Sequence, residues 1–594
     1  MYGIFGKMLI IDLTNSDITE KELDAEMFKS YLGGKGLGSC LLNKMLPRGV
    51  DPLSPDNVLI FTTGPATDTV LAPASRYGVF SKSPATGLYS ESYSGGHLPP
   101  LMKRTGYDAI VIKGAASSPC FISISEVGVN FFDASEIWGK ESYEAEAAVL
   151  KTAGIEKAQA LVIGPAGERK LSFACIKNNR WRSAGRTGLG AVMGSKNLKG
   201  IVFSGSAKAP LFDEEGLKEW SQDFFGRAKD SPPAKLYKEK GTPALVAVLN
   251  GAGAFPTRYW SEGSKEGWEK ISADYMRQNM EVKSKGCYRC FFACGKLTTA
   301  LHGRHKGLQV EGPEFETIYA FGGLCCIDEM EEILYLNDLC DRWGIDTISA
   351  GNIAAFAIEA GKRGKLKNAP KYGDASSIAE FLKTVVEGQG EGQIFTNGIR
   401  EAAKTLGMDD FAIHVKGLEP AGYDPRVLKG MGLAYATSDR GACHLRTTFY
   451  KPELSGLIEP SQIEEKARMF VEYEDRLNIY DCLILCRFYR DNIHWEELIK
   501  IIYLITGERY GVADLRAMAG RVQTLTRIFN LREGATREDD KLPRRFVSEA
   551  INNGENLITS EELSAMLDDY YLLRGWDENG VPSEEITNSG YLCR

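Results

Sequence analysis

The rhythm of apolar and polar positions changes near position 206, and before that point it is the rhythm of short strands. Runs rich in β-branched and aromatic residues alternate with Gly and Pro turns over residues 1–206, which is typical of strands joined by tight loops. The first strand is predicted at Lys7–Thr14, and one helix interrupts the pattern at Tyr31–Met45. This part of the chain is therefore predicted to be a mainly β domain.

Helical periodicity, with apolar residues three and four positions apart, dominates from position 207. The clearest predicted helices lie at 329–344, 347–364 and 376–390. A further boundary is predicted near position 410, before a glycine-rich stretch, and the rest of the chain is again mainly helical. These patterns predict an α+β protein with three domains, at 1–206, 207–410 and 411–594.

Length and composition narrow the classes of function. A chain of 594 residues is too long for a single core, so about three domains are expected. The net charge of -8 argues against binding to nucleic acid. The sequence has no apolar run of the roughly 18 residues that a membrane span needs, and its start lacks the features of a signal peptide, so we expect a cytoplasmic protein.

Three cysteines lie within eight residues, at Cys287, Cys290 and Cys294. Three thiolates at this spacing can converge on one metal centre, with the fourth ligand from Cys482 or Cys486 in a distant apolar segment. Cys-x-x-Cys spacing without a secretory signal indicates metal or redox use rather than disulfides. Four thiolates suit zinc or an iron–sulfur cluster, and the spacing favours the cluster. Buried structural thiols are the alternative.

A glycine-rich segment at 182–199 has the composition of a ligand-binding loop. Its glycines let backbone N–H groups approach a ligand closely, and two arginines with two lysines offer charge for phosphate. Arg76 and the compact polar loop at 91–97 are further candidates. A tight structural turn and a surface salt bridge are the alternatives for these segments.

Two distant segments share a pattern of acidic and aliphatic residues. Asp341-Arg-Trp-Gly-Ile-Asp346 is predicted to end a helix, and Asp481-Cys-Leu-Ile-Leu-Cys486 repeats part of its pattern. Two similar loops can hold two similar halves of one ligand, although helix capping alone also explains such a sequence.

Glu316 and His444 are candidates for proton transfer. Glu316 ends an acidic run shortly after the cysteines, and a glutamate near a metal centre can act as a general base. His444 is one of only six histidines and lies between arginines. The alternatives are a solvated acidic turn and a structural histidine.

Taken together, the segments resemble the aldehyde ferredoxin oxidoreductase family of tungsten enzymes. The resemblance runs through nearly the whole chain, in the order MYGIFGKMLIIDLT, YLGGKGLG, DPLSPDNVLIFTTGP, GYDAIVIKG, IGPAGE, RTGLGAVMGSKNLKGI, CYRCFFACG, EGPEFE, GIDTIS, YDPR, YATSDRGACH, LPRRF and YYLLRGW. It implies a β base domain and two mainly helical domains that enclose a bis-pyranopterin cofactor of tungsten or molybdenum. It also implies Mg²⁺ between the two pterins and a [4Fe-4S] cluster beside one of them.

The resemblance assigns roles to individual residues. Glu316 and His444 match the two polar residues beside the tungsten, and Tyr93 and Ser183 match positions whose backbone carbonyls bind Mg²⁺. The cluster ligands it implies are Cys287, Cys290, Cys294 and Cys486, the last favoured over Cys482 by its register in the loop. The cofactor-binding positions it implies are Arg76, Tyr93, Gly95, Arg182, Ser183, Asp341, Asp346, Thr347, Arg446, Asp481 and Leu485.

The chain departs from the family pattern at several positions. Ile484 stands where the second pterin loop usually has Gly, Tyr93 replaces a common Asn, and Arg446 replaces a Lys. The Glu-x-x-His pair that some relatives use for a metal between two copies of the chain is absent, since the aligned stretch reads Tyr335-Leu-Asn-Asp338. We therefore expect no metal at a dimer interface.

The implied reaction is oxidation of an aldehyde to a carboxylate, with electrons passing through the cluster to ferredoxin or a small iron–sulfur subunit. Another two-electron reaction on the same cofactor is the alternative, namely reduction of a carboxylic acid or an aromatic thioester. A zinc-stabilised scaffold subunit without catalytic activity is a third hypothesis.

Overall fold

The computed structural model describes residues 1–584, and its N-terminal third is built on two six-stranded sheets. The first sheet has the order β2-β1-β6-β3-β4-β5 and the second β11-β10-β9-β12-β7-β8. Pairing is antiparallel except between β1 and β6 and between β7 and β12. The strands of the first sheet, β1–β6, are Lys7–Asp12, Asp17–Glu22, Leu59–Thr62, Tyr77–Lys82, Tyr89–Ser94 and Ala109–Lys113, and those of the second, β7–β12, are Cys120–Ser125, Gly128–Asp133, Gln159–Val162, Ile176–Asn178, Arg182–Ala184 and Leu198–Phe203.

The central strands of these sheets are apolar because both of their faces are covered. Four residues of β3 and the first four of β6 are buried, so their sequences are continuous apolar runs rather than alternating ones. Six helices accompany the two sheets, α1–α6, at Ala25–Tyr31, Gly34–Met45, Leu98–Lys103, Ser142–Ala153, Pro165–Glu168 and Leu189–Ser195.

The remaining chain is mainly helical, with one small three-stranded sheet. Its strands, β13–β15, are Met280–Lys285, Gly295–Ala300 and Gln309–Glu311. The helices α7–α22 are Glu214–Ala228, Pro232–Glu239, Leu245–Gly251, Ala273–Asn279, Phe315–Ile318, Met330–Trp343, Thr347–Lys362, Ala375–Glu387, Gly398–Leu406, Lys429–Thr437, Tyr450–Leu454, Lys466–Leu483, Trp495–Thr506, Val512–Arg532, Arg544–Ser548 and Ser560–Arg574. A π-helical turn at Tyr319–Leu324 follows α11, and short 3₁₀ turns lie at Thr242–Ala244, Trp268–Ile271, Gly390–Phe395, Arg487–Tyr489 and Arg537–Asp539.

The predicted fold class is confirmed, and the differences lie at element boundaries and in short helices. The first strand ends at Asp12 rather than Thr14, and the predicted first helix begins at Gly34, since Leu32 has a φ of 59° that ends α1. Helices α12, α13 and α14 occupy the three regions where helices were predicted. The prediction missed α1 and α3–α6, which are mostly too short to show a periodic apolar face.

The largest buried cluster draws residues from 207–410 and from 411–594, and it also includes base-domain residues from Ala166 to Ala191. The division at position 410 therefore does not separate two independent cores, and it remains a prediction. A second cluster fills the space between the two sheets of the base domain. No helix within residues 1–584 is long and apolar enough to cross a membrane.

Two glycines of the base domain hold the end of α18. A Cβ atom on Gly34 would lie 2.2 Å from the carbonyl oxygen of Asp481, and one on Gly64 would lie 2.3 Å from that of Leu483. Only glycine permits such an approach between two backbones. The turn that follows α18 is thus fixed against the N-terminal domain, although more than 400 residues of sequence separate them.

Candidate functional site

A cavity of about 360 Å³ lies where the base domain meets the helical segments. Most of the residues singled out in the sequence line it together. The residues of that set on its wall are Arg76, Tyr93, Gly95, Arg182, Ser183, Cys287, Cys290, Cys294, Glu316, Asp341, Asp346, Thr347 and Cys486. The other four, His444, Arg446, Asp481 and Leu485, are buried nearby and do not form part of the wall.

The three close cysteines lie on the loop that joins β13 to β14, and Cys486 follows the end of α18. All four are free thiols and line the same cavity. The loop approaches the base domain closely, because a Cβ atom on Gly95 would lie only 2.9 Å from Sγ of Cys287. The local hairpin and the distant turn therefore meet as a four-thiol site requires.

Cys482 differs from Cys486 in its surroundings. It lies inside α18, is fully buried and does not line the cavity. Burial raises the pKa of its thiol to about 12. This placement supports Cys486 as the fourth ligand.

No group of three or more Cys, His, Asp or Glu side chains surrounds a single metal-ion position in the described part of the chain. An iron–sulfur cluster takes its four thiolates on separate iron atoms. The four cysteines therefore need to line one common space, which they do.

The two similar sequence segments form two similar helix ends. Gly344 caps α12 and Ile484 caps α18, and both have left-handed backbone angles, with φ of 74° and 58°. The residue after each cap makes an equivalent backbone hydrogen bond. Ile345 N–H donates to the Cys340 carbonyl at 2.9 Å, and Leu485 N–H donates to the Tyr480 carbonyl at 2.8 Å. The two similar sequence segments therefore form similar backbone turns.

Ile484 is the unusual member of this pair. A β-branched residue with a positive φ is a clear outlier, and left-handed helical geometry costs an L-residue roughly 1–2 kcal/mol. Its side chain is buried, and Cδ1 lies 2.8 Å from the position that a Cβ on Gly34 would take. Packing against the base domain therefore offsets the strained backbone.

The first helix end carries two buried aspartates with different partners. Asp341 accepts from Asn337 at 2.8 Å and pairs with Lys177, and burial raises its pKa to about 6. Asp346 caps α13 by accepting from the Ile348 N–H at 3.0 Å and pairs with Arg186 at 3.0 Å. Arg186 is one of the two arginines of the glycine-rich segment 182–199, whereas Lys177 was not singled out in the sequence.

The second helix end is surrounded by arginines. Asp481 accepts from Arg487 at 3.0 Å and from Arg446 at 3.1 Å. Although burial favours the neutral acid, Arg487 and Arg446 hold the pKa of Asp481 below its ordinary value. Arg446 also pairs with the buried carboxylate of Glu91.

Cationic groups converge on Tyr93. The guanidinium carbons of Arg76 and Arg446 lie 5.6 Å and 5.5 Å from the centre of its ring, and its hydroxyl donates to Glu91 at 2.6 Å. Arg182, also on the cavity wall, pairs with Glu311. Arginine side chains therefore lie at or beside the cavity, and two of them, Arg446 and Arg182, are paired with glutamates.

Glu316, on the cavity wall and partly buried, pairs with the buried His444 behind it. His444 Nε2 lies 3.4 Å from Glu316 Oε1, and Glu316 Oε2 accepts from the Gly422 N–H at 3.0 Å. Burial raises the pKa of Glu316 to about 8, whereas burial and nearby arginines hold the pKa of His444 well below its ordinary value. Neither Glu316 Oε1 nor His444 Nδ1 has a hydrogen-bond partner among residues 1–584.

The residues at the position of the Glu-x-x-His pair are engaged within the chain. Asp338 is buried and accepts from Tyr143 at 3.1 Å and from Arg342 at 2.5 Å. Tyr335 stacks on His305 with ring centres 4.3 Å apart. The absence of a metal between two copies of the chain remains a prediction.

Family models match almost all of the sequence. The model described as aldehyde ferredoxin oxidoreductase, N-terminal domain, matches residues 8–205, and the model described as aldehyde ferredoxin oxidoreductase, domains 2 & 3, matches residues 219–589. Among solved structures, the active site complex BamBC of benzoyl coenzyme A reductase has a similar fold, with a TM-score of 0.86 and 24% sequence identity over 100% of this chain and 97% of that chain.

Curated relatives resemble the chain from end to end. The tungsten-containing aldehyde ferredoxin oxidoreductases of Pyrococcus furiosus and Thermococcus kodakarensis are 35% and 34% identical to it, each over 99% of both chains. The aliphatic sulfonate oxidoreductase WOR-like subunit of Pyrococcus furiosus is 31% identical over 99% of this chain and 96% of the relative. With this identity over its whole length, and with both family models matched, the chain belongs to the aldehyde ferredoxin oxidoreductase family.

Proposed function

We propose that this protein is a tungsten-dependent enzyme that oxidises an aldehyde to a carboxylate and delivers the electrons to ferredoxin or to a small iron–sulfur subunit. The observation that carries the proposal is the pair of Glu316 and His444 at the cavity. His444 is buried and the Glu316 side chain is 18% exposed, their facing atoms lie 3.4 Å apart, and each has an atom without a hydrogen-bond partner in the described chain. Titratable groups that lack hydrogen-bond partners and have shifted pKa values are typical of catalytic sites.

The residues around the cavity fit a bis-pyranopterin cofactor. Arg446 Nε and Nη2 and Arg487 Nη1 are buried donors without a hydrogen-bond partner within residues 1–584, and such donors suit the anionic groups of a pterin. The two helix ends at Gly344 and Ile484 offer two similar cradles for two similar halves. We assign the pterin contacts to these loops, to Arg76 and to the other cofactor-binding positions that the family resemblance implies.

The four thiols that share the cavity are assigned to a [4Fe-4S] cluster, and the backbone carbonyls of Tyr93 and Ser183 to Mg²⁺. When bound, the tungsten cofactor would supply a two-electron acceptor, and the cluster would carry one electron at a time to the partner. The remaining chemistry is proton transfer, because oxidation of an aldehyde with water to a carboxylate releases two electrons and three protons.

Glu316 is suited to take up one of these protons. With a pKa of about 8, it is close to the operating pH at which a general base combines availability with driving force. His444 remains neutral, and the N–H of a neutral imidazole can donate to a carbonyl oxygen without adding positive charge. We therefore assign the base to Glu316 and polarisation of the carbonyl to His444.

The protein surface next to the β13–β14 loop, which carries the three close cysteines, suits an acidic electron acceptor. Phe291 lies between two of the cysteines, and its ring meets that of Phe225, which is 47% exposed, at 5.2 Å. The Lys229 ammonium lies 5.5 Å from the Phe225 ring, and Lys229 and Lys235 are both exposed. An exposed ring with a lysine beside it can bind an acidic partner in a salt-dependent way.

Metal analysis and a substrate screen test the proposal. Purified protein should contain four iron atoms and one tungsten atom, and it should oxidise at least one member of an aldehyde panel with a viologen acceptor. Glu316→Gln should lose activity by roughly 10²–10⁴-fold, whereas Glu314→Gln is a matched control, because Glu314 lines the same cavity but bonds to Thr242.

Three outcomes separate the hypotheses. Zinc without iron or tungsten would favour a scaffold subunit and overturn the proposal. The expected metals without activity on any aldehyde, but with turnover of a carboxylic acid, an aromatic thioester or an aliphatic sulfonate, would assign a different reaction to the same site. Full aldehyde activity in Glu316→Gln would remove that residue from the mechanism.

A further inference from the structure

Tyr489 lies between the two parts of the chain that supply the four thiols. It ends the 3₁₀ turn Arg487–Tyr489, which begins directly after Cys486. Its hydroxyl oxygen lies 3.3 Å from Sγ of Cys290 on the distant hairpin. One short segment therefore provides one thiol and contacts another.

Tyr489 is held in place both through its ring and through its backbone. The ring is fully buried and stacks on Phe292 with centres 3.9 Å apart and an interplanar angle of 16°. The backbone carbonyl oxygen of Tyr489 accepts from the Tyr480 hydroxyl at 3.2 Å and from the Ile493 N–H at 2.9 Å. A side chain held in this way keeps its hydroxyl at the sulfur without further ordering.

The direction of the hydrogen bond follows from the chemistry of the sulfur. A free thiol can donate or accept, but a thiolate bound to iron has no proton and can only accept. A neutral tyrosine hydroxyl carries the proton that such a bond needs. Hydrogen bonds to the sulfurs are one of the means by which a protein sets the reduction potential of an iron–sulfur cluster.

We propose that Tyr489 is a positioning residue that donates a hydrogen bond to the Cys290 thiolate and raises the reduction potential of the cluster. The inference rests on the proposed function in one respect, since it requires a cluster on the four cysteines. The reduced cluster carries one more negative charge than the oxidised cluster, so a donor to its sulfur stabilises the reduced form more strongly. Removing the hydroxyl should therefore make the cluster harder to reduce.

The test compares two tyrosine variants of the metal-loaded enzyme. Tyr489→Phe removes the hydroxyl and keeps the stacked ring. Tyr237→Phe is the matched control, because the Tyr237 ring stacks on the same Phe292 at 5.8 Å while its hydroxyl hydrogen-bonds with Arg490 and not with a cysteine sulfur. Iron content and a redox titration of the cluster, followed by electron paramagnetic resonance, are measured for both variants and the wild type.

We expect the wild-type iron content in both variants and a more negative cluster potential in Tyr489→Phe alone. A wild-type potential in an iron-replete Tyr489→Phe enzyme would overturn the inference and leave the proposed function intact. Wild-type protein without iron would instead overturn the cluster assignment and this inference with it.

A second replacement keeps the test decisive if Tyr489→Phe loses its iron. Incorporation of 3-fluorotyrosine at position 489 retains the ring and makes the hydroxyl a stronger acid, and hence a stronger donor. The cluster potential should then shift in the positive direction. An unchanged potential in this iron-replete protein would contradict the proposed hydrogen bond.

Discussion

Replacing Glu316 by Gln should stabilise the folded protein at neutral and alkaline pH while it removes activity. Burial raises the pKa of this carboxyl from 4.5 to about 8 in the folded state. Because the folded protein holds the proton more tightly than the unfolded chain, stability is full below about pH 4.5 and is lost as the pH rises to about 8. Glutamine cannot ionise, so the variant does not lose this stability.

The size of the effect follows from the shift of the pKa. One pKa unit corresponds to about 1.4 kcal/mol. The free energy of unfolding of Glu316→Gln should therefore gain about 3 kcal/mol on that of the wild type between pH 4.5 and pH 7, and about 4 kcal/mol by pH 9. The residue would thus be retained for its chemistry at a cost in stability.

Urea unfolding of both proteins at several pH values between about 5 and 9 measures this difference. Glu464→Gln is the control, because Glu464 is exposed and its replacement should change stability by the same small amount at every pH. A difference between wild type and Glu316→Gln that stays constant across this range would refute the reasoning, since it would mean that Glu316 is already ionised in the folded protein.

Further predictions concern the cluster, the histidine and the partner. Cys486→Ala should lose the cluster iron while Cys482→Ala retains it, and the reverse result in an iron assay would contradict the assigned register. His444→Phe should keep its iron and tungsten but lose roughly 10²–10⁴-fold of aldehyde turnover, so wild-type rates would exclude His444 from catalysis. The double variant Lys229→Glu and Lys235→Glu should raise the KM for an acidic ferredoxin and weaken its salt dependence, with viologen rates unchanged; an unaltered KM would place the docking face elsewhere.

The sequence predicts patterns among neighbouring residues better than contacts between residues that are distant in the chain. The cysteine triplet and each of the two acidic loops are visible in the sequence because the members of each segment are neighbours in the chain, and the structure brings residues of all three segments to one cavity. The pairing of Lys177 with Asp341 joins residues 164 positions apart, and that of Arg446 with Glu91 joins residues 355 positions apart. No local pattern encodes these pairings, because they exist only once the base domain meets the helices.

Ile484 shows a different limit of sequence reasoning. Its β-branched side chain argues against a left-handed backbone, yet the structure keeps the same helix cap that Gly344 forms at the other loop. Burial of the side chain against the base domain is a tertiary effect that overrides the local preference. The family resemblance shows that Ile484 stands where the loop usually has Gly, but only the structure shows that the loop keeps its geometry.

The order in which the four thiols are synthesised limits when the proposed cluster site can be completed. Cys486 follows Cys294 by about 190 residues, and ribosomes add roughly 5–20 residues per second. A growing chain therefore presents three thiols without the fourth for about 10–40 s. A cluster that needs all four can be completed only after residue 486 has left the ribosome, so a translation product that stops between the hairpin and α18 would carry three thiols open to oxidation.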